Sequence, residues 1–171
     1  MSYSIFICQA QREHLRDIHT INAESSPGVT ALTADTMDQV FDTASVMWVA
    51  LVEERVVGYL VGFAPHAVYE GEEFVWFRDR DHDFLYVDQI AVGGSYRGGG
   101  IGTALYRELQ AFAERKRLYS LVCEVNIEPP NPGSMVFHMR QGFAEIERLQ
   151  TRDGRHVALL RKRLLAVTQK L

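Results

Sequence analysis

The segment Val92-Gly93-Gly94-Ser95-Tyr96-Arg97-Gly98-Gly99-Gly100-Ile101-Gly102-Thr103 joins an apolar, β-rich run to the start of an amphipathic helical pattern. Glycine lets a backbone approach a ligand closely and adopt positive φ. The first turn of a helix leaves several N–H groups unpaired under a partial positive charge. A strand-to-helix turn of this composition therefore suits an anion. Arg97 adds a formal charge at its entrance, which favours a pyrophosphate over a single carboxylate. The plain alternative is a flexible connection, and the strand before and helix after weigh against it.

Two further residues have side chains suited to proton transfer. Asp88 is a carboxylate inside the otherwise apolar run Leu85 to Val92, so it faces either a polar cleft or solvent, and strand alternation puts it on the side of Tyr86 and Ile90. His138 exchanges protons near neutral pH, although a lone histidine on a short helix is more often structural. His82, between Asp81 and Asp83 and close to Arg78 and Arg80, reads as part of a solvated, self-paired loop, and no metal is expected.

These residues need elements to hold them, and the apolar periodicity supplies a nearly continuous set. Tyr3 to Cys8 reads as a strand and Glu13 to Ala23 as a helix, with Leu15, Ile18 and Ile21 on one face. A turn-rich stretch at Ser25, Ser26, Pro27 and Gly28 precedes a second helix from about Ala34 to Asp42, beginning near Thr33. Val46 to Val52 and Val56 to Phe63 flank Glu53, Glu54 and Arg55 as an antiparallel hairpin. Pro65 ends it, and an irregular aromatic and acidic stretch is expected up to Asp83, with Tyr69, Phe74, Trp76 and Phe77 as a substrate wall.

Phe84 to Val92 is the next strand, and the helix after the glycine turn puts Ile101, Leu105, Leu109 and Phe112 on one face. Arg115, Lys116 and Arg117 fall at its end, where positive charge complements the helix dipole. Ser120 to Val125 is a strand. Asn131 then caps a short helix with Pro132 in its first turn, and Gly142 closes it. Glu145 to Thr151 and His156 to Arg163 flank Asp153-Gly154 as a last hairpin.

Composition narrows the function classes. A length of 171 residues suits one domain spanning 1–171, and 47% hydrophobic with 23% charged residues is the profile of a globular protein. Cys8 and Cys123 lie in apolar runs without a partner at metal-ligand spacing, which fits a reducing cytoplasm. No long uncharged apolar run occurs, and Met1 to Gln11 lacks the pattern of a signal peptide, so neither secretion nor membrane association is expected. A net charge of −4 argues against nucleic-acid binding.

The glycine turn fails the dinucleotide fingerprint, because Leu105 or Thr103 stands where Gly or Ala is required. It fails the P-loop too, since no lysine occurs between Val92 and Lys116. The remaining pattern, Arg97-x-x-Gly100-x-Gly102, resembles the acetyl-coenzyme A pyrophosphate motif of the GNAT acetyltransferase superfamily, and the order of elements along the chain is that of the family. The resemblance implies an α/β (α+β) fold with a mixed, mostly antiparallel sheet of about seven strands and about four helices, splayed between the fourth and fifth strands.

It also implies acetyl-CoA as cosubstrate. Arg97, Gly98, Gly99, Gly100, Ile101, Gly102 and Thr103 would hold the pyrophosphate, while Ile90, Ala91, Val92, Asn131, Ser134, Phe137 and His138 would meet the pantetheine arm and sulfur region. Cys123-Glu124-Val125 resembles the strand on which ribosomal-protein N-terminal alanine acetyltransferases of this superfamily place a glutamate, making Glu124 the leading base and Asp88 the second. Many members carry a tyrosine acid five residues before the phenylalanine of Gly-Phe, and this sequence has His138 there.

The expected reaction is direct transfer to a primary amine. An aliphatic amine with pKa near ~10 must lose a proton before it attacks, the thiolate needs one, and a backbone N–H near Val92 would stabilise the oxyanion. A small molecule or amino acid is the favoured acceptor. A peptide N-terminus and a non-catalytic acetyl-CoA-binding module are the alternatives, and a homodimer is left open.

Overall fold

The computed structural model describes residues 3–164. Seven strands form one sheet in the order β1-β2-β3-β4-β5-β7-β6. They are β1 (Phe6–Gln9), β2 (Val46–Val52), β3 (Arg55–Phe63), β4 (Phe84–Val92), β5 (Ser120–Glu128), β6 (Ala144–Gln150) and β7 (His156–Arg163). The helices are α1 (Leu15–Ser25), α2 (Ala34–Thr43), α3 (Glu72–Arg78), α4 (Ile101–Arg115) and α5 (Pro132–Arg140). Antiparallel registers join β1 with β2, β2 with β3, β5 with β7 and β6 with β7, whereas β4 runs parallel to β5. The mixed, mostly antiparallel sheet is the one expected.

The chain gathers into two compact units. One takes in the chain up to Phe63 and Val87–Glu108, and the other takes in Ala64–Tyr86 and the chain from Leu109 onward. In the first, α1 buries Ile18 and Ile21 and α2 buries Met37, the apolar positions of their helical patterns. Thr33 caps α2 by accepting from Thr36 N–H at 3.2 Å. The connection between α1 and α2 is tied down by buried polar groups. Asn22 donates to the Thr30 carbonyl at 2.9 Å and accepts from Leu32 N–H at 2.8 Å. Gln89 donates to the same Thr30 carbonyl at 3.0 Å, and the Tyr59 hydroxyl donates to Gln89 Oε1 at 2.8 Å. Burial pushes the Tyr59 phenol pKa far up, so it stays a donor.

In the second unit, β5 and β7 supply the buried apolar faces, with Leu121, Val122, Leu159 and Leu160 inaccessible to solvent. The stretch before Asp83, expected as irregular, contains a helix. Phe74 and Phe77, three apart, both turn inward on α3, while Glu72 and Glu73 lie in its first turn and Arg78 in its last, where they complement the dipole. A helix this short is marginal alone and is stabilised by burying that pair of rings, a contribution that local periodicity does not reveal. The α-helices are therefore five among the described residues. The fifth strand also runs past Val125 to Glu128.

The hairpin between β2 and β3 turns through Glu53 and Glu54, at φ +48° and +63°. Two left-handed residues in succession make the two-residue turn that Asn-Gly adopts readily and that a Cβ disfavours. Replacing the pair by Asn-Gly is expected to stabilise the fold by about 1 kcal/mol, raising Tm by about 2–4 °C. Thermal denaturation checks this, and an unchanged or lower Tm would contradict the strain argument.

Candidate active site

From Val87 onward β4 lies in the first unit, where it delivers the glycine turn. Its residues change from buried on both faces, Phe84 to Val87, to an alternation in which Asp88, Ile90 and Val92 are half-buried while Gln89 and Ala91 are covered. Asp88 thus shares the more open face with Ile90, as alternation requires. Gly93 N–H anchors the strand end to the Val57 carbonyl at 2.9 Å, and Arg97 Nε donates back to the Val92 carbonyl at 3.1 Å.

Gly98 and Gly100 adopt φ +76° and +83°, with open space where a side chain would point, so backbone conformation is what demands glycine there. The N–H groups of Ile101, Gly102 and Thr103 precede the first bond along α4, from Ala104 N–H to the Gly100 carbonyl at 2.9 Å. The structure thus brings Ile90, Ala91, Val92, Arg97, Gly98, Gly99, Gly100, Ile101, Gly102 and Thr103 into one strand, turn and helix start. Gly58 on β3 was not visible as part of it: a Cβ there would stand 3.0 Å from both the Ala91 carbonyl and Ile101 Cγ2.

The second unit holds the other predicted residues. Glu124 is half-buried on β5 and accepts a hydrogen bond from the Tyr86 hydroxyl at 2.7 Å. Sequence reasoning gave Tyr86 no role. Its only signal was a phenol on the same strand face as Asp88, two residues earlier. The Tyr86 ring packs against Phe74, Phe77 and Tyr69, with centroids 5.6, 6.2 and 6.3 Å away. A clamp holds α3 in the same unit. Arg155, beside the β6–β7 turn, bonds Glu73 at 2.9 Å and Asn126 of β5 at 3.1 Å, and the Arg152 N–H bonds Glu72 at 3.0 Å.

Asn131 caps α5 as expected, its side chain accepting from Ser134 N–H at 3.2 Å. Gly142, at φ +91°, ends the helical turn. His138 is 3% exposed, lies edge-on to Phe137 and Phe143, and has Nδ1 at 2.8 Å from the Ser134 carbonyl. A carbonyl only accepts, so Nδ1 carries the proton of the neutral ring and Nε2 the lone pair. Burial lowers the imidazole below its usual 6.5, against the opposing pull of the Ser134 carbonyl. His138 is therefore mostly neutral at pH 7. His82 remains in an exposed turn, its N–H bonded to Asp81 Oδ1 at 2.7 Å. Among the described residues there is no group of three His, Cys, Asp or Glu side chains placed to hold a metal ion, and no helix long and apolar enough to cross a membrane.

A mixed seven-stranded sheet with a glycine turn between its fourth strand and fourth helix defines the class as an acetyltransferase-type α/β fold. The chain belongs to the acetyltransferase (GNAT) family, whose sequence model matches residues 9–143. No curated protein matches it in sequence. Its fold is similar to that of the ribosomal-protein-S18-alanine N-acetyltransferase from Escherichia coli, with TM-score 0.73, 15% identity, and coverage of 98% of this chain and 99% of the other. It also resembles Ard1 from Thermoplasma volcanium, with TM-score 0.77 and 17% identity over 94% and 98% of the two chains. The ribosomal-protein-alanine N-acetyltransferase from Brucella melitensis gives TM-score 0.71 and 22% identity over 93% and 99%.

The neutral state of His138 has a measurable consequence. As pH falls below about 6.5, the unfolded chain takes up a proton that the folded ring refuses, so this residue's contribution to stability declines with pH until the folded pKa is passed. In His138→Gln, the urea midpoint should fall less between pH 7 and pH 5 than in the wild type. Parallel declines would show that the ring is not refusing a proton.

Proposed function

We propose that this protein transfers the acetyl group of acetyl-CoA directly to a primary amine on a small molecule or amino acid. The observation that carries this reading is the turn from Arg97 to Gly102 in a chain of the GNAT family. Two left-handed glycines and a helix start offer several N–H groups beside a guanidinium, and the space where side chains would stand at Gly98 and Gly100 is open. These residues fit a pyrophosphate. Ile90, Ala91 and Val92 would present backbone groups to the pantetheine arm, and Asn131, Ser134 and Phe137 are the further residues proposed to contact it. A protein or peptide N-terminus is the second reading, supported by the fold shared with the two ribosomal-protein-alanine N-acetyltransferases.

In this reading Glu124 takes a proton from the ammonium acceptor, and the amine nitrogen then attacks the thioester carbon while a backbone N–H near Val92 meets the oxyanion. The C–S bond breaks, and the nitrogen loses a second proton as the amide forms. Neutral His138 suits the transfer of that proton to sulfur, because its Nε2 lone pair can receive a proton before giving one up. Asp88 is the second candidate for the base.

The decisive experiment is a panel of primary amines and peptides assayed for free coenzyme A release from acetyl-CoA. Release with at least one amine is expected, and saturating acetyl-CoA should raise Tm. No release together with no calorimetric binding would overturn the reading. With the acceptor so found, Glu124→Gln should lower the single-turnover rate about 100-fold at pH 7 and recover in part at higher pH, as the free amine increases. The same loss in Asp88→Asn, with Glu124→Gln unaffected, would move the base to Asp88. Gly100→Ala should raise the acetyl-CoA Kd about tenfold, because alanine disfavours the left-handed backbone of the binding-competent turn. An unchanged Kd in the folded variant would remove that turn from the site.

A further inference from the structure

Tyr86 has no task in acetyl transfer as described, yet it is 1% exposed and directed at the proposed base. In the parallel register Tyr86 stands opposite Val122, and Glu124 is the next residue on that face of β5. The phenol reaches along the strand by one side-chain step to donate to Oε2 at 2.7 Å. Phenylalanine would fill the same space between Phe74, Phe77 and Tyr69, so packing alone does not call for a hydroxyl here. A donor to a carboxylate favours its ionised form, and a charge-assisted bond fixes its direction.

We propose that Tyr86 is a positioning residue for Glu124, its hydroxyl holding the carboxylate in one orientation and keeping it ionised to receive the acceptor's proton. The inference rests on Glu124 as the base. No proton passes through the phenol in this role: an N–H bond of the ammonium breaks, an O–H bond forms on Glu124, and the Tyr86 O–H is retained. The aromatic cluster carried by α3 fixes the ring, and the Glu73–Arg155 pair fixes α3, so the placement of the donor is set well away from the carboxylate.

Other ionisable groups lie on the elements around these two residues. Glu73 of α3, His138 of α5 and Arg161 of β7 are on elements packed against β5, Arg155 and Asp153 approach from the β6–β7 turn, and Asp88 follows Tyr86 on β4. All are unchanged in Tyr86→Phe, so a difference between variant and wild type isolates the hydroxyl.

The test needs no acceptor. The full chain is labelled with 13C at glutamate and tyrosine side chains and titrated by NMR, with Glu124→Gln and Tyr86→Phe each identifying the signal that it removes. Glu124 is expected to titrate about one pH unit higher in Tyr86→Phe than in the wild type. Because coupling is reciprocal, Tyr86 should lose its proton at lower pH in Glu124→Gln. The two variants are read separately, so the result survives the failure of one to fold, and a curve superimposed on the wild type in a folded variant overturns the proposal. An active amine panel without coupling would sink the role of Tyr86 alone. An inactive panel and no calorimetric binding of acetyl-CoA, with both couplings present, would overturn the acetyl-transfer reading and, with it, the purpose assigned to the pair.

Discussion

A carboxylate drawn partly out of water loses hydration that donors must replace, and at Glu124 the Tyr86 hydroxyl is one such donor. Several contacts of the second unit converge on the ring that makes this bond. For the phenol to stand at 2.7 Å, its ring must be fixed, and Phe74, Phe77 and Tyr69 fix it. Two of those rings belong to α3, which is too short to hold itself together and is pinned through Glu72 and Glu73 to the β6–β7 turn. Arg155 closes the circuit by also bonding Asn126, two residues beyond Glu124 on β5. A helix, a hairpin turn and two strands thus share the job of aiming one side chain.

The first unit solves a different problem, that of presenting backbone. Its glycine turn works only if the strand end, the turn and the helix start keep fixed relative positions. The constraints are local and steric. Gly58 lets the Ala91 carbonyl and Ile101 come within 3.0 Å of where its Cβ would be, Gly93 N–H is bonded to Val57, and Arg97 folds back onto Val92. The polar set of Asn22, Tyr59 and Gln89 does the same for the chain between α1 and α2. It satisfies the Thr30 carbonyl twice over and binds Leu32 N–H, so that this connection has a defined path despite its lack of secondary structure.

His138 shows how residue type and environment can point in different directions. An imidazole in the position of a catalytic acid suggests a proton ready to give. Burial instead favours the neutral ring, and the Ser134 carbonyl claims the proton at Nδ1. In this setting a histidine is a neutral ring with its proton at Nδ1, and not the protonated acid that its position in the sequence suggests.

The sequence by itself determined the order of the strands and of every described α-helix but α3, the caps at Thr33 and Asn131, the closing Gly142 and the glycine turn, because each follows from local periodicity or from backbone chemistry within a few residues. It also carried the resemblance through which Glu124 was singled out. The tertiary structure decided what those residues touch. The helix α3 was invisible because it is stabilised by rings buried against distant strands, and Tyr86 because its partner lies 38 positions away. Gly58 looked like any strand glycine until Ala91 and Ile101 approached it. Periodicity reports which face a side chain takes, and only packing brings two such faces together at hydrogen-bond distance.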